Sequence, residues 1–236
     1  LGRQRVSAVG SLGSGFCGAL LMGVAAFLPT YVQGVMGRTP VAAGAVLGAM
    51  SVGWSVASFA TAPLMRRRSV RDIALSGGAC MLAGTGMLLG LSPASGIWWP
   101  AAASLLMGAG MGLCTTVFIV AVQGSVAWNQ RGAATCSLMS LRVIGQSLGV
   151  VGGASVLNAS VAAIDPGVAD SALDRLLDPA GRASLGPEEL ADLTDVVARA
   201  LHDTHLLAMG FAAATLAVAL WLPRGLRAVP KPTPPA

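Results

Sequence analysis

Apolar residues run in long uncharged blocks along this chain, and six such blocks can be marked out. They cover about 6–33, 42–65, 73–91, 97–122, 132–157 and 204–222, and the fifth trails on toward Ala163, broken only by Arg142. A helix crossing a hydrocarbon core about 30 Å thick needs roughly 20 apolar residues, which each block supplies or nearly supplies. No block shows the alternation of a barrel strand. The pattern predicts an all-α, polytopic membrane helix bundle with six transmembrane helices. Five of them fall in residues 1–157, followed by a polar loop at 158–203, the sixth helix at 204–222 and a tail at 223–236.

The polar loop has a pattern of its own. Pro187, Glu188 and Glu189 read as a helix start, where the dipole favours acidic side chains. Leu190, Leu193, Val197 and Leu201 then repeat on one helical face. The expectation is an amphipathic helix lying on the outer surface or folded back over the mouth of the bundle. The Pro- and Arg-rich tail is expected to be flexible.

Composition agrees with a membrane protein. Of 236 residues, 54% are hydrophobic and 11% charged, whereas a soluble domain carries about a quarter charged residues. Disorder would require low hydrophobicity and high charge. A collagen-like chain would space its glycines every third residue, and these are not so spaced.

The charges are sorted along the chain. Nine of the ten acidic residues lie between Asp165 and Asp203, and the tenth is Asp72. Placing the N-terminus in the cytoplasm puts ten Lys and Arg on the inner side and four on the outer, with Arg142 inside a span. The positive-inside rule therefore predicts that both termini are cytoplasmic. Tyr31, Trp98 and Trp99 then fall at the outer interface, and Trp128 and Trp221 at the inner one. The net charge of +5 does not describe a nucleic-acid footprint, because the arginines cap apolar runs and do not cluster with stacking aromatics. The first apolar run is too long for a signal peptide and lacks a cleavage site. The chain starts at Leu1 without an initiator Met, which suggests a fragment of a longer protein.

Glycines recur four apart within the spans. Gly44 and Gly48, Gly86 and Gly90, Gly108 and Gly112, and the triple Gly145, Gly149 and Gly153 form G-x-x-x-G stripes. Small residues at this spacing let helix backbones touch, which matters in lipid because no hydrophobic force drives helices together. Such faces serve static packing, or they let helices rock as a transporter alternates access.

Arg142 lies ten residues past Gly132, hence about 15 Å along a helix and close to the bilayer midplane. A charge at that depth costs about 2.5–3.5 kcal/mol on insertion scales and should face the bundle or a cavity. Gln146 follows one turn later on the same face. Arg142 either ties down backbone carbonyls at a helix crossing or lines a substrate path, and no Asp or Glu lies at mid-membrane depth to pair with it. Gln123 at the inner end of the fourth span and Trp54 in mid-span complete the polar candidates for that path. Pro29 should kink the first helix.

Four cysteines (Cys17, Cys80, Cys114 and Cys136) sit inside apolar segments and read as packing residues. His202 and His205, three apart, have no third metal ligand nearby in sequence. There is no P-loop and no Ser/His/Asp arrangement. No catalytic residue, metal site or cofactor is expected, and the chain does not read as an enzyme.

The stretch from Phe27 through Pro29, Tyr31, Gln33, Gly37, Arg38 and Pro40 to Gly44 resembles the seventh-helix exit of drug:proton antiporters of the major facilitator superfamily, in their fourteen-helix branch. The segment Arg131-Gly-Ala-Ala-Thr, followed by Arg142 to Gly149, resembles that branch's penultimate helix. The long loop carrying Leu185 to Glu189 before a last helix also fits. The resemblance spans nearly the whole chain. It implies the C-terminal six-helix half of such a transporter, built as two three-helix repeats in a bacterial-type plasma (inner) membrane. It further implies a missing N-terminal helical half as partner, with a lipophilic small molecule and protons as cargo. At 62–71 the family carries Gly-x-Leu-x-Asp-Arg-x-Gly-x-Arg. Here Ala62, Arg66 and Ser69 replace the two glycines and the aspartate, leaving Leu64, Arg67 and Arg71 as a remnant beside topology anchors that face anionic lipid. The rival from another class is a non-transporting membrane scaffold or accessory subunit that self-associates through its glycine faces.

Overall fold

A computed structural model of the chain describes residues 2–164, 176–178, 181, 182 and 184–223. Among them the long elements are six helices, with no strand. They are α1 (Gly2–Thr30), α2 (Pro40–Leu64), α3 (Val70–Leu89), α4 (Trp98–Ser125), α5 (Arg131–Ile164) and α6 (Pro187–Leu220). All six are long and apolar enough to cross a membrane. Part of the predicted polar loop (165–175, 179, 180 and 183) and the tail from 224 onward lie outside the described residues.

Local chemistry sets several helix starts. Thr39 caps α2 by accepting from the Ala42 amide at 3.3 Å, and Pro40 takes the first helical position, where a missing N–H does no harm. Ser69 caps α3 by accepting from the Asp72 amide at 3.1 Å, and Asp72 adds an acidic group to that first turn. Pro29 removes an N–H near the end of α1. The helix then widens into a π-helical segment, Tyr31–Val35, closed by the Met36 amide on the Tyr31 carbonyl at 3.0 Å. Gly37 follows with φ of 61°, a conformation that glycine adopts without strain. Arg182 covers this end of α1 by donating to the Gly34 carbonyl at 2.8 Å.

The segment expected as a separate surface helix is continuous with the last span. The predicted start at Pro187 is present, but α6 runs unbroken to Leu220, whereas the sequence reading divided it at 203. No Gly or Pro falls between Glu188 and Met209 to stop it. The buried stripe of Leu193, Val197 and Leu201 continues through Thr204, Ala208 and Ala212, so one face stays packed while the polar residues ride on the other.

The six helices form two related trios. In one, α4 packs alongside α2, with Gly108 on Met50 and Gly112 on Trp54, and antiparallel to α3. In the other, α1 packs alongside α5, with Gly145 on Gly15 and Gly149 on Ala19, and antiparallel to α6. Advancing each helix by three positions exchanges the trios, so the bundle is two three-helix repeats. The core between them holds Leu20, Leu28, Ile73, Met81, Met107 and Phe118. A second cluster around Phe27, Tyr31, Leu157, Val197 and Leu201 closes the Tyr31 end.

The glycine stripes divide by what they face. A Cβ on Gly108, Gly112, Gly145 or Gly149 would collide with a neighbouring backbone, and one on Gly153 would strike the Phe27 ring. A Cβ on Gly44 or Gly48 would meet nothing within 4 Å. The packing role expected for Gly44 and Gly48 is therefore absent within this bundle: α2 turns its Gly53 and Ala57 face to α4, and the Gly44–Gly48 face is left outward. Gly86 likewise faces open space, and α3 approaches α4 through Gly77 and Gly84.

Candidate functional site

The two helices with the least buried spans, α2 and α5, flank α1 and α4 and carry the charged centre of the bundle. On α2, Gly112 of α4 admits the backbone at Trp54, which seats the helix close and leaves the indole half-buried. On α5, Gly18 of α1 admits the Arg142 backbone in the same way. From these two anchors the side chains meet, with the Arg142 guanidinium 4.9 Å from the centre of the Trp54 ring. A cation over an indole face gains about 0.5–2 kcal/mol, more as water is excluded. Among the described residues no carboxylate or hydrogen-bond acceptor pairs with Arg142, whose electrostatic neighbours are the aromatic face and the Cys17 sulfur of α1. The pair joins one three-helix repeat to the other.

Gln146 is half-buried one turn beyond Arg142, and its side chain makes no hydrogen bond among the described residues. Gln123 is elsewhere engaged. Its Nε2 donates to Thr135 Oγ1 at 3.1 Å, and Thr135 donates to the Arg131 carbonyl at 2.8 Å, which ties α4 to the start of α5. The structure thus brings together Trp54 and Arg142, places Gln146 beside them and sets Gln123 apart as a cross-helix tie.

Two hollows extend from this level. A crevice of about 800 Å³ lies at the Arg131 end between α1, α4 and α5, lined by Ser7, Ser11, Ser125, Gln130, Ser137 and Leu141 among others. Leu141, one residue before Arg142 on α5, is the residue furthest along α5 in its wall. At its rim Arg131 lies 4.8 Å from the Trp128 ring centre. A shallower hollow of about 340 Å³ runs along α2 past Ser51, Trp54, Ser55 and Ser58. The sequence reading missed both sets of serines, although Ser7 with Ser11 and Ser51 with Ser55 each stand one helical turn apart. That spacing is a weak signal, because a lone serine in a span often bonds back to its own helix, as Ser55 does to the Ser51 carbonyl at 2.9 Å.

The loop between α2 and α3 is a tight turn, with Arg67 and Arg68 amides on the Leu64 carbonyl at 3.0 and 2.9 Å. Arg66, Arg67 and Arg68 are exposed, Leu64 and Arg71 half-buried, and none of these arginines has an ion-pair partner among the described residues. Ser69, standing where the resemblance places a second glycine, is the α3 cap.

The profile of the Major Facilitator Superfamily matches residues 3–150, more than half of the chain, from α1 past Arg142. The chain belongs to the Major Facilitator Superfamily. No curated protein matches it. Superfamily membership makes this a multi-pass membrane transport protein, and the packed repeats with a charged residue between them suit that role. Buried charge in a span costs stability and is retained at ion and substrate pathways. The bundle of this superfamily member holds a cation, an aromatic face and serine hydroxyls between its helices.

Proposed function

We propose that the chain is the C-terminal half of a proton-coupled multidrug efflux transporter that exports lipophilic small molecules by alternating access. The observation that carries this reading is the Arg142–Trp54 pair between the two repeats, with Trp54 in the wall of the serine-lined hollow along α2. An aromatic face beside an unpaired cation accepts flat, lipophilic solutes without demanding one hydrogen-bond pattern. The Arg66–Arg68 end faces the cytoplasm, in keeping with the sorting of Lys and Arg, so the crevice admits solute from the inner side. The coupling carboxylate belongs to the N-terminal half, since residues 6–157 offer only Asp72. The outward Gly44–Gly48 face favours a second reading, self-association as a scaffold.

Dye accumulation in an efflux-deficient host expressing the full-length protein tests the first reading. The proposal expects lower dye in expressing cells, reversed when the proton gradient is collapsed. Equal accumulation in both hosts, together with a dimer that separates when Gly48 is replaced by Leu, would establish the scaffold instead.

A further inference from the structure

At the end of the bundle opposite Arg66–Arg68, a second crevice of about 530 Å³ opens between α6, the end of α3 and α1. It is separate from the path just described. One residue in its wall is out of balance. His205 is 1% exposed, and its Nε2 has no hydrogen-bond partner. A buried polar atom left unpaired is held at a loss to folding unless something else meets it. Tyr31 stands across from it, ring centroids 6.0 Å apart, on the π-helical segment that Pro29 precedes. Single π-helical turns recur at functional sites.

The rest of the wall says what would meet it. Leu88, Leu91 and Ile164 supply an apolar side. Asp203 brings a half-buried carboxylate, held in place by the Ser160 hydroxyl at 2.7 Å, which leaves its other oxygen free of any bond among the described residues. Asp195 is neutralised by its neighbour Arg199. Asp203 is therefore the crevice's one carboxylate without a cationic partner among the described residues. A metal ion is a poor fit, because no group of three or more metal-ligating side chains stands together among the described residues.

We propose that this crevice binds a protonated alkyl or aryl amine, whose N–H donates to His205 Nε2, whose charge faces Asp203 and whose carbon body lies on Tyr31, Leu88 and Ile164. This site deepens the efflux reading by giving the outer end a second, cation-selective station, but binding there does not require transport. The same ammonium chemistry is offered by a free amine or by the headgroup of phosphatidylethanolamine.

The test is equilibrium binding of 9-aminoacridine to the full-length protein in nanodiscs of phosphatidylglycerol and phosphatidylcholine, neither of which carries a primary ammonium. Three variants are compared. Ala198→Trp fills the crevice from its half-buried wall, Asp203→Asn removes the charge, and His205→Gln keeps a polar group of similar reach. The proposal expects a Kd in the micromolar range, weakened about tenfold by Asp203→Asn, as loss of a charge-assisted bond requires. Ala198→Trp should abolish binding, and His205→Gln should retain it to within about fivefold, because the Gln side-chain oxygen still accepts from the ammonium. An N-methylated acridinium without the donor should bind more weakly to the unaltered protein, lose further affinity with Asp203→Asn and Ala198→Trp, and be insensitive to His205→Gln. If nanodiscs rich in phosphatidylethanolamine compete the dye away, the occupant is the lipid headgroup at the same site. Binding unaffected by both Ala198→Trp and Asp203→Asn would overturn the site, whereas dye efflux lost with binding intact would overturn only the transport reading.

Discussion

Replacing Gly149 by Ala probes the contact on which the second trio depends. The added Cβ would lie 2.7 Å from the Ala19 carbonyl carbon and 2.8 Å from the Ala19 Cα, and nearer still to the Ala19 oxygen. Non-bonded carbons settle at about 3.5–4.0 Å, so α1 and α5 must part by roughly 1 Å at this crossing. Both partners are backbone, and neither can turn aside as a flexible side chain would. Overpacking of this kind costs about 1–3 kcal/mol. At about 2–4 °C of Tm per kcal/mol for a chain of this length, a mid-range loss of about 2 kcal/mol lowers the midpoint by about 4–8 °C. The assay is thermal unfolding of detergent-solubilised protein followed by tryptophan fluorescence, compared at one scan rate because such unfolding is often irreversible. Gly48→Ala is the paired control. Its Cβ meets nothing within 4 Å, and alanine favours a helix by about 1 kcal/mol, so its midpoint should hold or rise. A Gly149→Ala protein as stable as the parent, or a Gly48→Ala protein less stable than Gly149→Ala, would refute the assignment of which glycine faces touch.

Three further substitutions have defined outcomes. Gln123→Leu breaks the 3.1 Å bond to Thr135 between α4 and α5 and should cost about 1 kcal/mol, read as a lower unfolding midpoint at unchanged expression. Ser69→Ala removes the cap that accepts from the Asp72 amide, costing about 1 kcal/mol, and Ser69→Asn should restore most of it in the same measurement. Ser160→Ala deprives Asp203 of its 2.7 Å donor and should cost about 1.5–3 kcal/mol, the range for a bond to a charged group, unless Asp203 is neutralised in the same protein by Asn.

How far the sequence could be read depended on what each pattern encodes. The six spans were legible because apolar length is a local property, and all six long helices overlap the apolar blocks. The glycine stripes were legible as surfaces that permit contact but not as contacts. Gly44-x-x-x-Gly48 and Gly108-x-x-x-Gly112 carry the same signal, yet only the second meets a neighbour, because the choice of face is made by the partner helix. The break read at 203 followed the charges of Asp192, Asp195, Arg199 and Asp203, which in three dimensions ride on one uninterrupted helix, the first three exposed and Asp203 bonded to Ser160 of α5. Arg142 announced itself by the cost of a charge in a span, whereas its seat on Trp54 required two helices whose spacing in the fold no sequence period records. Tyr31 and His205 are still further apart in the chain, and their contact had no sequence signal at all.

The central claim is that the Arg142–Trp54 pair belongs to a working transport path. It is tested most directly by proton-driven dye uptake into inside-out vesicles carrying the full-length protein, with expression matched across the parent, Arg142→Lys, Arg142→Ala and Trp54→Leu. Removing the cation or its aromatic seat forfeits about 1.4 kcal/mol or more of solute interaction, a tenfold loss of transport, if that interaction lies on the path. The expected result is uptake by the parent, reduced uptake by Arg142→Lys, and at least a tenfold loss in Arg142→Ala and Trp54→Leu, with folding retained. Uptake by Arg142→Ala and Trp54→Leu at the parental rate would contradict it.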